Sequence, residues 1–429
     1  MERLEAYEIT GGAKIRGTVR ISGAKNAVLP MLAATLLVDR PCGIIDAPDL
    51  RDVTVMTQIL ERLGARVAVG NDQDGKRTLM VDAKSIWTHE VPENLVRQMR
   101  SSIFLMGPLL GRLGKVRVSY PGGCAIGPRP IDLHLSSLQA LGVRIEERAG
   151  YIDAYANRLQ GTEIHLDFPS VGATENTMMA AVTAKGTTII RNAAKEPEIV
   201  DLQNFLNAIG AKIRGAGLDV IRIEGTQNLG GAKHQAIPDR IETGTFMVAA
   251  CITGGEVLVE NCIEEHVEAV IAKLREAGAR VEEAGDHRLH VFGPSRMRAV
   301  DFKTLPYPGF PTDMQPQIMS LMSLGMGTSV ITETIFENRF NQAEELRRMG
   351  ANIKTEGRTA VIKGVERLFG ATVEASDLRS GAALVLAGLA AEGRTVVEGC
   401  HHIDRGYEGL ESKLNLLGAN VRRITLNGA

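Results

Sequence analysis

One structural unit recurs six times along this chain of 429 residues, and no other feature constrains its fold as strongly. Each copy is an amphipathic helical pattern that ends in Gly-Ala or Gly-Val and continues into a short strand. A glycine directly after a helix adopts the left-handed conformation that ends the helix, and β-branched residues behind it favour a strand. The glycines stand about 70 residues apart, a period that predicts stacked copies of one supersecondary unit. They are Gly64, Gly142, Gly210, Gly278, Gly350 and Gly418.

A second, more apolar helix is predicted between successive copies of that pattern. A helix that is apolar on nearly every face must be buried on nearly every face, whereas an amphipathic helix buries only one. Each unit therefore predicts an inner helix, an outer helix and strands, an α/β fold in which three units wrap their strands around three central helices. The inner helices begin near Lys25, Arg100, Gly172, Glu242, Asp313 and Arg379.

Six units predict two domains of three. The first domain takes residues 23–238, and the second takes 239–429 together with 1–22, whose pattern YEITGGAKIRGTVRIS predicts strands that complete its sheet. The chain would then cross between domains near residues 22 and 238, and a cleft between domains is a favoured place for a ligand. The alternative is a structural repeat array without an active site.

Charge and cysteine usage exclude several classes of function. Lys and Arg number 49 against 51 Asp and Glu, a balance that gives no reason to expect nucleic acid or an anionic membrane as partner. The five cysteines are widely spaced without a CxxC pair, which favours reduced cytosolic thiols over disulfides or zinc. The N-terminal MERLEAYEIT is charged where a signal peptide is apolar, and the apolar run 27–38 is too short to span a membrane. We expect a cytoplasmic protein with no metal, cofactor or membrane insertion.

The loop PGGCAIGPRP at residues 121–130 predicts a reactive thiol. Cys124 lies among glycines and prolines, and Arg129 follows five residues later. Glycine lets such a loop bend over a ligand, and a nearby guanidinium favours the thiolate, the form that attacks electrophiles. The plain alternative is a turn that contains a buried cysteine, because a free cysteine usually behaves as a small hydrophobic residue.

Unusual polar residues concentrate at two positions of the repeated unit, the start of the inner helix and the loop before the outer helix. Helix N-termini bind anions through free N–H groups and the helix dipole. If the six inner helices point their N-termini at one place, the substrate should be multiply anionic, such as a phosphate, a diphosphate or a carboxylate. The helix starts carry Lys25, Asn26, Arg100, Ser170, Val171, Gly172, Asp239, Asp313, Asp377 and Arg379, and the loops carry Arg51, Cys124, Arg129, Arg339 and Arg405.

Each of these residues also has a structural interpretation. Asp239, Asp313 and Asp377 could be helix N-caps, a common role of aspartate. The basic residues could be solvated surface groups, as most are. The functional interpretation is favoured because the same positions are populated in all six units. His134 is predicted to lie in an outer helix with a core or surface role.

The chain resembles the enolpyruvyl transferase family from about residue 7 to about residue 425. The motifs that carry the resemblance are SGAKNAVLP (22–30), PGGCAIGPRPIDL (121–133), SVGAT (170–174), PDRIETGTF (238–246), FPTDMQ (310–315), FENRF (336–340), SDLR (376–379) and HIDRGY (402–407). The resemblance implies two inside-out α/β barrel domains, each of three βαβαββ repeats, with the active site in the interdomain cleft. It also implies transfer of the enolpyruvyl group of phosphoenolpyruvate to the 3-hydroxyl of UDP-N-acetylglucosamine by addition and elimination, which releases phosphate in the first committed step of peptidoglycan synthesis.

The resemblance also implies roles for individual residues. Cys124 matches the cysteine that protonates phosphoenolpyruvate or aids product release and that fosfomycin alkylates, and Asp313 matches the proposed general base for the sugar hydroxyl. Phosphoenolpyruvate contacts match Lys25, Asn26, Arg129 and Arg405, with Lys25 and Arg405 also stabilising developing charge. Nucleotide-sugar contacts match Asn26, Arg100, Arg129, Pro130, Ile131, Asp132, Leu133, Ser170, Val171, Gly172, Asp313 and Ile335. Further polar residues of the cleft match Arg51, Asp239, Glu337, Arg339, Asp377 and Arg379.

Two positions depart from the family pattern, and three other functions remain open. Phe168 stands where some members place a lysine near the uridine, and Arg51 replaces a lysine, which keeps the charge but not the geometry. The sister family that acts on 3-phosphoshikimate shares the fold but lacks the cysteine loop. A regulatory paralogue would bind UDP-N-acetylglucosamine without turnover, and an unrelated thiol hydrolase would need a histidine base beside Cys124.

Overall fold

The computed structural model describes residues 4–122 and 130–426, and helices occur throughout both stretches. The predictions for Cys124 and Arg129 lie outside these residues. The α-helices are α1 (Lys25–Ala34), α2 (Arg51–Leu63), α3 (Glu93–Val96), α4 (Met106–Leu113), α5 (Asp132–Ala140), α6 (Val171–Ala181), α7 (Pro197–Ala208), α8 (Arg240–Thr253), α9 (Glu268–Glu276), α10 (Gln315–Met322), α11 (Gln342–Arg348), α12 (Leu378–Ala390) and α13 (Leu410–Leu416). Short 3₁₀ turns span Thr35–Leu37, Arg100–Leu105, Glu264–His266, Thr312–Met314 and Cys400–Arg405.

The strands are short and form several small sheets rather than one large one. They are β1 (Leu4–Thr10), β2 (Arg16–Arg20), β3 (Cys42–Ile45), β4 (Arg66–Asn71), β5 (Arg77–Asp82), β6 (Lys115–Ser119), β7 (Arg144–Arg148), β8 (Tyr151–Tyr155), β9 (Glu163–His165), β10 (Thr187–Arg191), β11 (Lys212–Arg214), β12 (Val220–Glu224), β13 (Lys233–Gln235), β14 (Glu256–Glu260), β15 (Arg280–Glu283), β16 (Arg288–Phe292), β17 (Phe302–Lys303), β18 (Thr328–Thr332), β19 (Asn352–Glu356), β20 (Thr359–Lys363), β21 (Thr372–Glu374), β22 (Arg394–Glu398) and β23 (Asn420–Leu426).

The βαβαββ repeat is complete in the segment β9–α6–β10–α7–β11–β12. Its four strands form a sheet in the order β11-β12-β10-β9, in which β9 is parallel to β10 and the other pairs are antiparallel. The same order recurs for β19-β20-β18-β17, read from the other edge. The glycine after each of the six outer helices has a φ between 89° and 112°, which confirms the left-handed helix ends predicted from the sequence.

The chain divides into two compact units. The first unit holds residues 23–122 and 130–237, and the second holds residues 4–22 and 238–426. Both units have sheets that are completed by a strand distant in sequence. In the first unit β13 pairs parallel with β3, and in the second β2 pairs parallel with β14. Strand β1 lies between β22 and β23 and is antiparallel to both.

Three buried helices form the centre of each unit, as the apolar patterns predict. In the second unit α8, α10 and α12 pack on one another, and all eight residues of α10 are buried. In the first unit α1, α4 and α6 lie at the centre, where α4 packs on α6 and the Arg100–Leu105 turn contacts both α1 and α6. Among the described residues, no helix combines the length and the apolar character needed to cross a membrane.

One carboxyl group lies in the centre of the first unit without a visible partner for one of its oxygens. Glu175 belongs to α6, is buried, and its Oε1 accepts no hydrogen bond from any residue in 4–122 or 130–426. Burial raises the pKa of Glu175 well above its usual range, and the negative charges of Glu198 and Glu196 raise it further. Ionisation of this group therefore opposes folding.

We expect Glu175→Gln to stabilise the protein more at pH 8 than at pH 5. A carboxyl whose pKa is raised on folding contributes stability that is present below its ordinary pKa and is lost as the pH rises through the folded value. Glutamine does not ionise and so avoids this loss, which amounts to about 1.4 kcal/mol for each pKa unit. Thermal unfolding at the two pH values measures the effect, with Glu147→Gln on an exposed position of β7 as the control. An equal shift in Tm at both pH values would contradict the expectation.

Candidate active site

Lys25 opens α1 and is held by a carboxylate from the neighbouring helix. Its Nζ lies 3.1 Å from Oδ2 of Asp52, in the first turn of α2, and both side chains are almost wholly buried. A cation at a helix N-terminus is opposed by the helix dipole, and Asp52 offsets that cost. Asn26 follows as the one residue of α1 that is not buried, so the start of this helix is where α1 meets the solvent. The sequence analysis did not single out Asp52.

The other predicted arginines of the first unit lie at the starts of helical segments. Arg51 is the first residue of α2 and is exposed. Arg100 begins the 3₁₀ turn that leads into α4 and is half-buried. The backbone at Gly122, the last residue of the described stretch 4–122, is closely packed, since a Cβ at this position would lie 2.2 Å from the carbonyl oxygen of Arg97. Only glycine fits there without a shift of the backbone.

The predicted nucleotide-sugar residues from two separate motifs lie beside each other. Ser170 caps α6 by accepting a hydrogen bond from the N–H of Ala173 at 3.3 Å. A Cβ at Gly172 would lie 2.9 Å from Cε1 of His134, so glycine allows the close approach of α5 to α6. Asn176 of α6 also contacts the imidazole, with its Nδ2 3.2 Å from Nδ1 of His134. His134 is therefore buried beside a predicted binding segment, and its position there follows from the tertiary contact with Gly172 rather than from any local signal.

The segment that leads into α5 completes this group of residues. Ile131 is buried, Leu133 is half-buried, and Pro130 and Asp132 are exposed. Phe168, whose position departs from the family pattern, is 44 % exposed, and its carbonyl oxygen accepts a hydrogen bond from the N–H of Ser170 at 2.7 Å. An exposed aromatic ring thus lies close to the N-terminus of α6. Val171 is half-buried in the first turn of that helix.

Asp313 lies between two buried arginines in the second unit. Its Oδ1 accepts from Nη2 of Arg339 at 2.7 Å, and its Oδ2 accepts from Nε and Nη2 of Arg379 at 3.1 and 3.0 Å. The Asp313 side chain is 29 % exposed, whereas both arginine side chains are 4 % exposed. Burial by itself raises the pKa of Asp313, but the two guanidinium groups outweigh it and hold the pKa well below its usual range. The carboxylate is therefore ionised and partly exposed, whereas the two guanidinium groups that pair with it are buried.

The two arginines have further contacts that fix their planes. Nη1 of Arg339 donates to Oγ1 of Thr312 at 3.1 Å, while its buried Nε has no hydrogen-bond partner among the described residues. The guanidinium of Arg379 lies 5.3 Å from the ring centre of Tyr407. The hydroxyl of Tyr407 lies 2.9 Å from that of Thr245 on α8. The group therefore contains a carboxylate, Asp313, that can accept a proton. The two guanidinium groups of Arg339 and Arg379 carry two positive charges against its single negative charge.

Two of the three predicted aspartates are helix caps. Oδ1 of Asp239 accepts from the N–H groups of Ile241 and Glu242 at the start of α8. Asp377 accepts from the N–H groups of Arg379 and Ser380 and forms a capping box with Ser380. The structure thus shows the capping role that the sequence left open for these two residues. Asp313 differs, because it lies in the 3₁₀ turn before α10 and caps neither element.

The remaining predicted residues of the second unit lie in loops. Ile335 is half-buried, and Glu337 is exposed with its Oε1 3.1 Å from Nη2 of Arg358. Arg405 is half-buried at the end of the Cys400–Arg405 turn. The residue before it, Asp404, accepts hydrogen bonds from Arg423 of β23, which anchors the turn to the sheet. In residues 4–122 and 130–426, no group of three or more His, Cys, Asp or Glu is arranged to hold a metal ion.

Comparison with known protein sequences identifies similar enzymes over nearly the whole chain. Residues 9–414 match the family model described as EPSP synthase (3-phosphoshikimate 1-carboxyvinyltransferase). A UDP-N-acetylglucosamine 1-carboxyvinyltransferase 1 from Symbiobacterium thermophilum is 63% identical over 421 residues, which cover 98% of this chain and 95% of that protein. The protein of the same name from Caldanaerobacter subterraneus subsp. tengcongensis is 58% identical over 410 residues, covering 95% and 97%.

Solved structures with the same architecture include an enolpyruvyl transferase and an EPSP synthase. The enolpyruvyl transferase NikO from Streptomyces tendae superposes with a TM-score of 0.89 at 27% identity, covering 99% of this chain and 100% of that one. EPSP synthase from Acinetobacter baumannii superposes with a TM-score of 0.75 at 18% identity, covering 98% and 100%. At that identity the second likeness supports the fold alone, and with the first it confirms the predicted two-domain α/β architecture.

Proposed function

We propose that this chain, which belongs to the EPSP synthase family of carboxyvinyltransferases, transfers the enolpyruvyl group of phosphoenolpyruvate to the 3-hydroxyl of UDP-N-acetylglucosamine. The single observation that carries the choice of acceptor is the identity of 63% to a relative named for it. The reaction would release phosphate and supply the first committed intermediate of peptidoglycan synthesis. Both substrates are soluble metabolites, in keeping with the cytoplasmic location expected from the sequence.

The alternative acceptor, 3-phosphoshikimate, is less well supported. The family model is described by that activity, but the EPSP synthase structure is only 18% identical to this chain. The loop PGGC is present here at residues 121–124, whereas the family resemblance implies that the sister family lacks it. The sequence therefore favours a nucleotide sugar over 3-phosphoshikimate.

The geometry around Asp313 supports its role as general base. Its carboxylate is ionised and partly exposed, so it can accept a proton from the 3-hydroxyl as that oxygen bonds to C2 of phosphoenolpyruvate. C3 takes up a proton at the same stage, and we assign its delivery to Cys124. In the second stage C3 returns a proton to the Cys124 thiolate that the first stage left, and the bond from C2 to the phosphate oxygen breaks, which restores the double bond and releases phosphate.

A depressed pKa makes Asp313 a weak base in the free protein, and the charges around it show how that could change. Arg339 and Arg379 lower its pKa. An anionic substrate that draws on these guanidinium groups would weaken their hold on Asp313 and raise its basicity. We propose that Lys25, Arg129 and Arg405 neutralise the phosphate and carboxylate of phosphoenolpyruvate, to which arginine presents a bidentate fork.

Phosphate release tests the proposed function directly. Release from phosphoenolpyruvate is measured with and without UDP-N-acetylglucosamine, for the wild type and for Cys124→Ala. We expect release that needs both substrates and falls in the variant. Release that survives in Cys124→Ala would keep the transferase and remove the thiol from the mechanism. Absence of release while UDP-N-acetylglucosamine still binds would favour the regulatory paralogue.

We expect Cys124 to be the one cysteine of this chain that alkylating reagents modify rapidly. The other four are buried and free, and burial raises the pKa of Cys42, of Cys251 to about 12, and of Cys262 and Cys400 to about 11. The thiolate is the reactive form, so these four should be inert in the folded protein at pH 7.5.

Mass spectrometry after brief iodoacetamide treatment counts the labels. The expected result is one label on the native wild type, none on native Cys124→Ala, and four on Cys124→Ala unfolded in urea. Fosfomycin, whose reaction we assign to Cys124, should likewise add one label to the native wild type and none to native Cys124→Ala. A label on any other cysteine of the native protein would contradict the expectation.

A further inference from the structure

We propose that Glu333 is a positioning residue, which sets the orientation of the Asp313 carboxylate through Thr312 and Arg339. The inference deepens the proposed function, because it rests on Asp313 as the base for the acceptor hydroxyl. Nothing in the family resemblance used above assigns a role to Glu333.

Glu333 is a buried carboxylate that collects four hydrogen bonds. It follows directly after β18 and is 1 % exposed. Its Oε1 accepts from the hydroxyl of Thr304 at 2.8 Å and from the backbone N–H groups of Ile335 and Phe336 at 2.9 and 3.2 Å. Its Oε2 accepts from the hydroxyl of Thr312 at 2.8 Å. These four donors are uncharged, so the carboxylate acts on them by fixing the directions of their hydrogen bonds.

The orientation of the Thr312 hydroxyl in turn fixes that of the Asp313 carboxylate through two further hydrogen bonds. Because the Thr312 hydroxyl donates its hydrogen bond to Glu333, a lone pair of its oxygen accepts from Nη1 of Arg339 at 3.1 Å. The other terminal nitrogen of Arg339, Nη2, then donates to Oδ1 of Asp313 at 2.7 Å. A guanidinium is planar and rigid, so fixing Nη1 also fixes where Nη2 points.

The same carboxylate also shapes the loop that carries a predicted sugar contact. By accepting from the N–H groups of Ile335 and Phe336, Glu333 closes the turn at the start of residues 334–339. That segment carries both Ile335 and Arg339. One buried group thus orients both the proposed base and a neighbouring predicted contact to the acceptor.

Glu333→Gln tests the inference with a minimal change. The amide keeps one oxygen for Thr304, Ile335 and Phe336 but presents an N–H₂ group to Thr312, which reverses the Thr312 hydroxyl and turns its proton towards Arg339. We expect kcat to fall about 10- to 100-fold, since a shift of about 1 Å in a reacting group can cost that much. We also expect KM for UDP-N-acetylglucosamine to rise and KM for phosphoenolpyruvate to stay unchanged.

Thr312 variants separate positioning from folding. Thr312→Ser keeps the hydroxyl and should retain kcat, whereas Thr312→Val leaves the other three bonds of Glu333 intact and should lose as much as Glu333→Gln. The double variant Glu333→Gln/Thr312→Val should be no worse than either single variant, because all three break one path. Glu356→Gln, at the exposed end of β19 in the same sheet, is the matched control with unchanged kcat.

The outcomes distinguish the inference from the function on which it rests. No phosphate release by the wild type overturns both. Turnover by the wild type with unchanged kcat in folded Glu333→Gln, or equal increases in the two KM values, overturns the positioning role alone. If Glu333→Gln does not fold, the decision passes to the Thr312 pair, and equal kcat for Thr312→Ser and Thr312→Val overturns the inference.

Discussion

Asp313→Asn should lower kcat for enolpyruvyl transfer by a factor of about 10² to 10⁴, the usual contribution of a general base. Asparagine has nearly the shape of aspartate and can still accept a hydrogen bond from Arg339, but it cannot take the proton of the acceptor hydroxyl. KM for phosphoenolpyruvate should change much less than kcat, because we place Asp313 against the sugar. Steady-state kinetics of phosphate release measures both constants.

The same substitution also removes a charge that the fold uses. Arg339 and Arg379 would remain buried without their shared carboxylate, and breaking a buried pair in this way costs up to about 3–5 kcal/mol. The free energy of unfolding in urea reports this loss, and activity must be compared well below the Tm of the variant. Asp286→Asn, on a side chain that is 96% exposed, should alter neither quantity. Activity above a tenth of the wild-type value in Asp313→Asn would remove this residue from the role of base.

The pH dependence of the wild type follows from the depressed pKa of Asp313. A carboxyl whose pKa is lowered on folding contributes stability that is present above its ordinary pKa and is lost as the pH falls through the folded value. Asp313 should therefore stay ionised throughout the range from pH 5 to pH 9 in the free protein. A fall in kcat/KM on the acid side of that range must come from another group, and it should persist, at lower absolute rates, in Asp313→Asn.

Lys25→Met should cause the second large effect, in stability as well as activity. It leaves the buried Asp52 carboxylate without the ammonium that lies 3.1 Å away, a change that costs about 3–5 kcal/mol when one partner of a buried pair is removed. The double variant Lys25→Met/Asp52→Asn should recover most of that loss, since no charge is then left behind. It should not recover phosphoenolpyruvate binding, which we assign to Lys25.

Urea unfolding and KM for phosphoenolpyruvate separate the two roles of Lys25. The matched control is Lys195→Met, which breaks the partly exposed pair of Lys195 with Asp219 and should cost less than about 1 kcal/mol. If Lys25→Met destabilises the protein no more than this control, the pair with Asp52 contributes little to the fold. If the double variant regains a normal KM for phosphoenolpyruvate, Lys25 does not bind that substrate.

The repeat made most of the fold accessible from the sequence. A helix end at glycine and an all-apolar helix are local signals, and each recurs often enough to establish the period. The inner helices begin close to the predicted positions, although two of them open with a 3₁₀ turn, at Arg100 and at Thr312. Which strand completes each sheet is set by pairing between distant segments, such as β13 with β3. The pattern of residues 7–22 could indicate such pairing only in outline.

The candidate site was less accessible, because its geometry depends on partners that are far apart in sequence. Helix starts pointed to Lys25 and Asp313, but nothing near Lys25 indicates that Asp52 pairs with it. Glu333 was missed for the same reason, since its partners Thr304 and Thr312 come from another loop. Aspartate at a helix start is more often a cap than a catalyst, and only the hydrogen bonds distinguish Asp377 from Asp313.

The placement of β1 and β2 has a consequence for the order in which the protein is made. Ribosomes extend the chain from the N-terminus at about 5–20 residues per second, so domains tend to fold in the order of their synthesis. Residues 23–237 include every strand of their own sheets and can fold as soon as they emerge. Strand β2 must wait for β14 at residues 256–260, and β1 must wait for β22 and β23, which begin only at residues 394 and 420. For most of translation these two strands therefore lack the strands with which they pair in the finished fold.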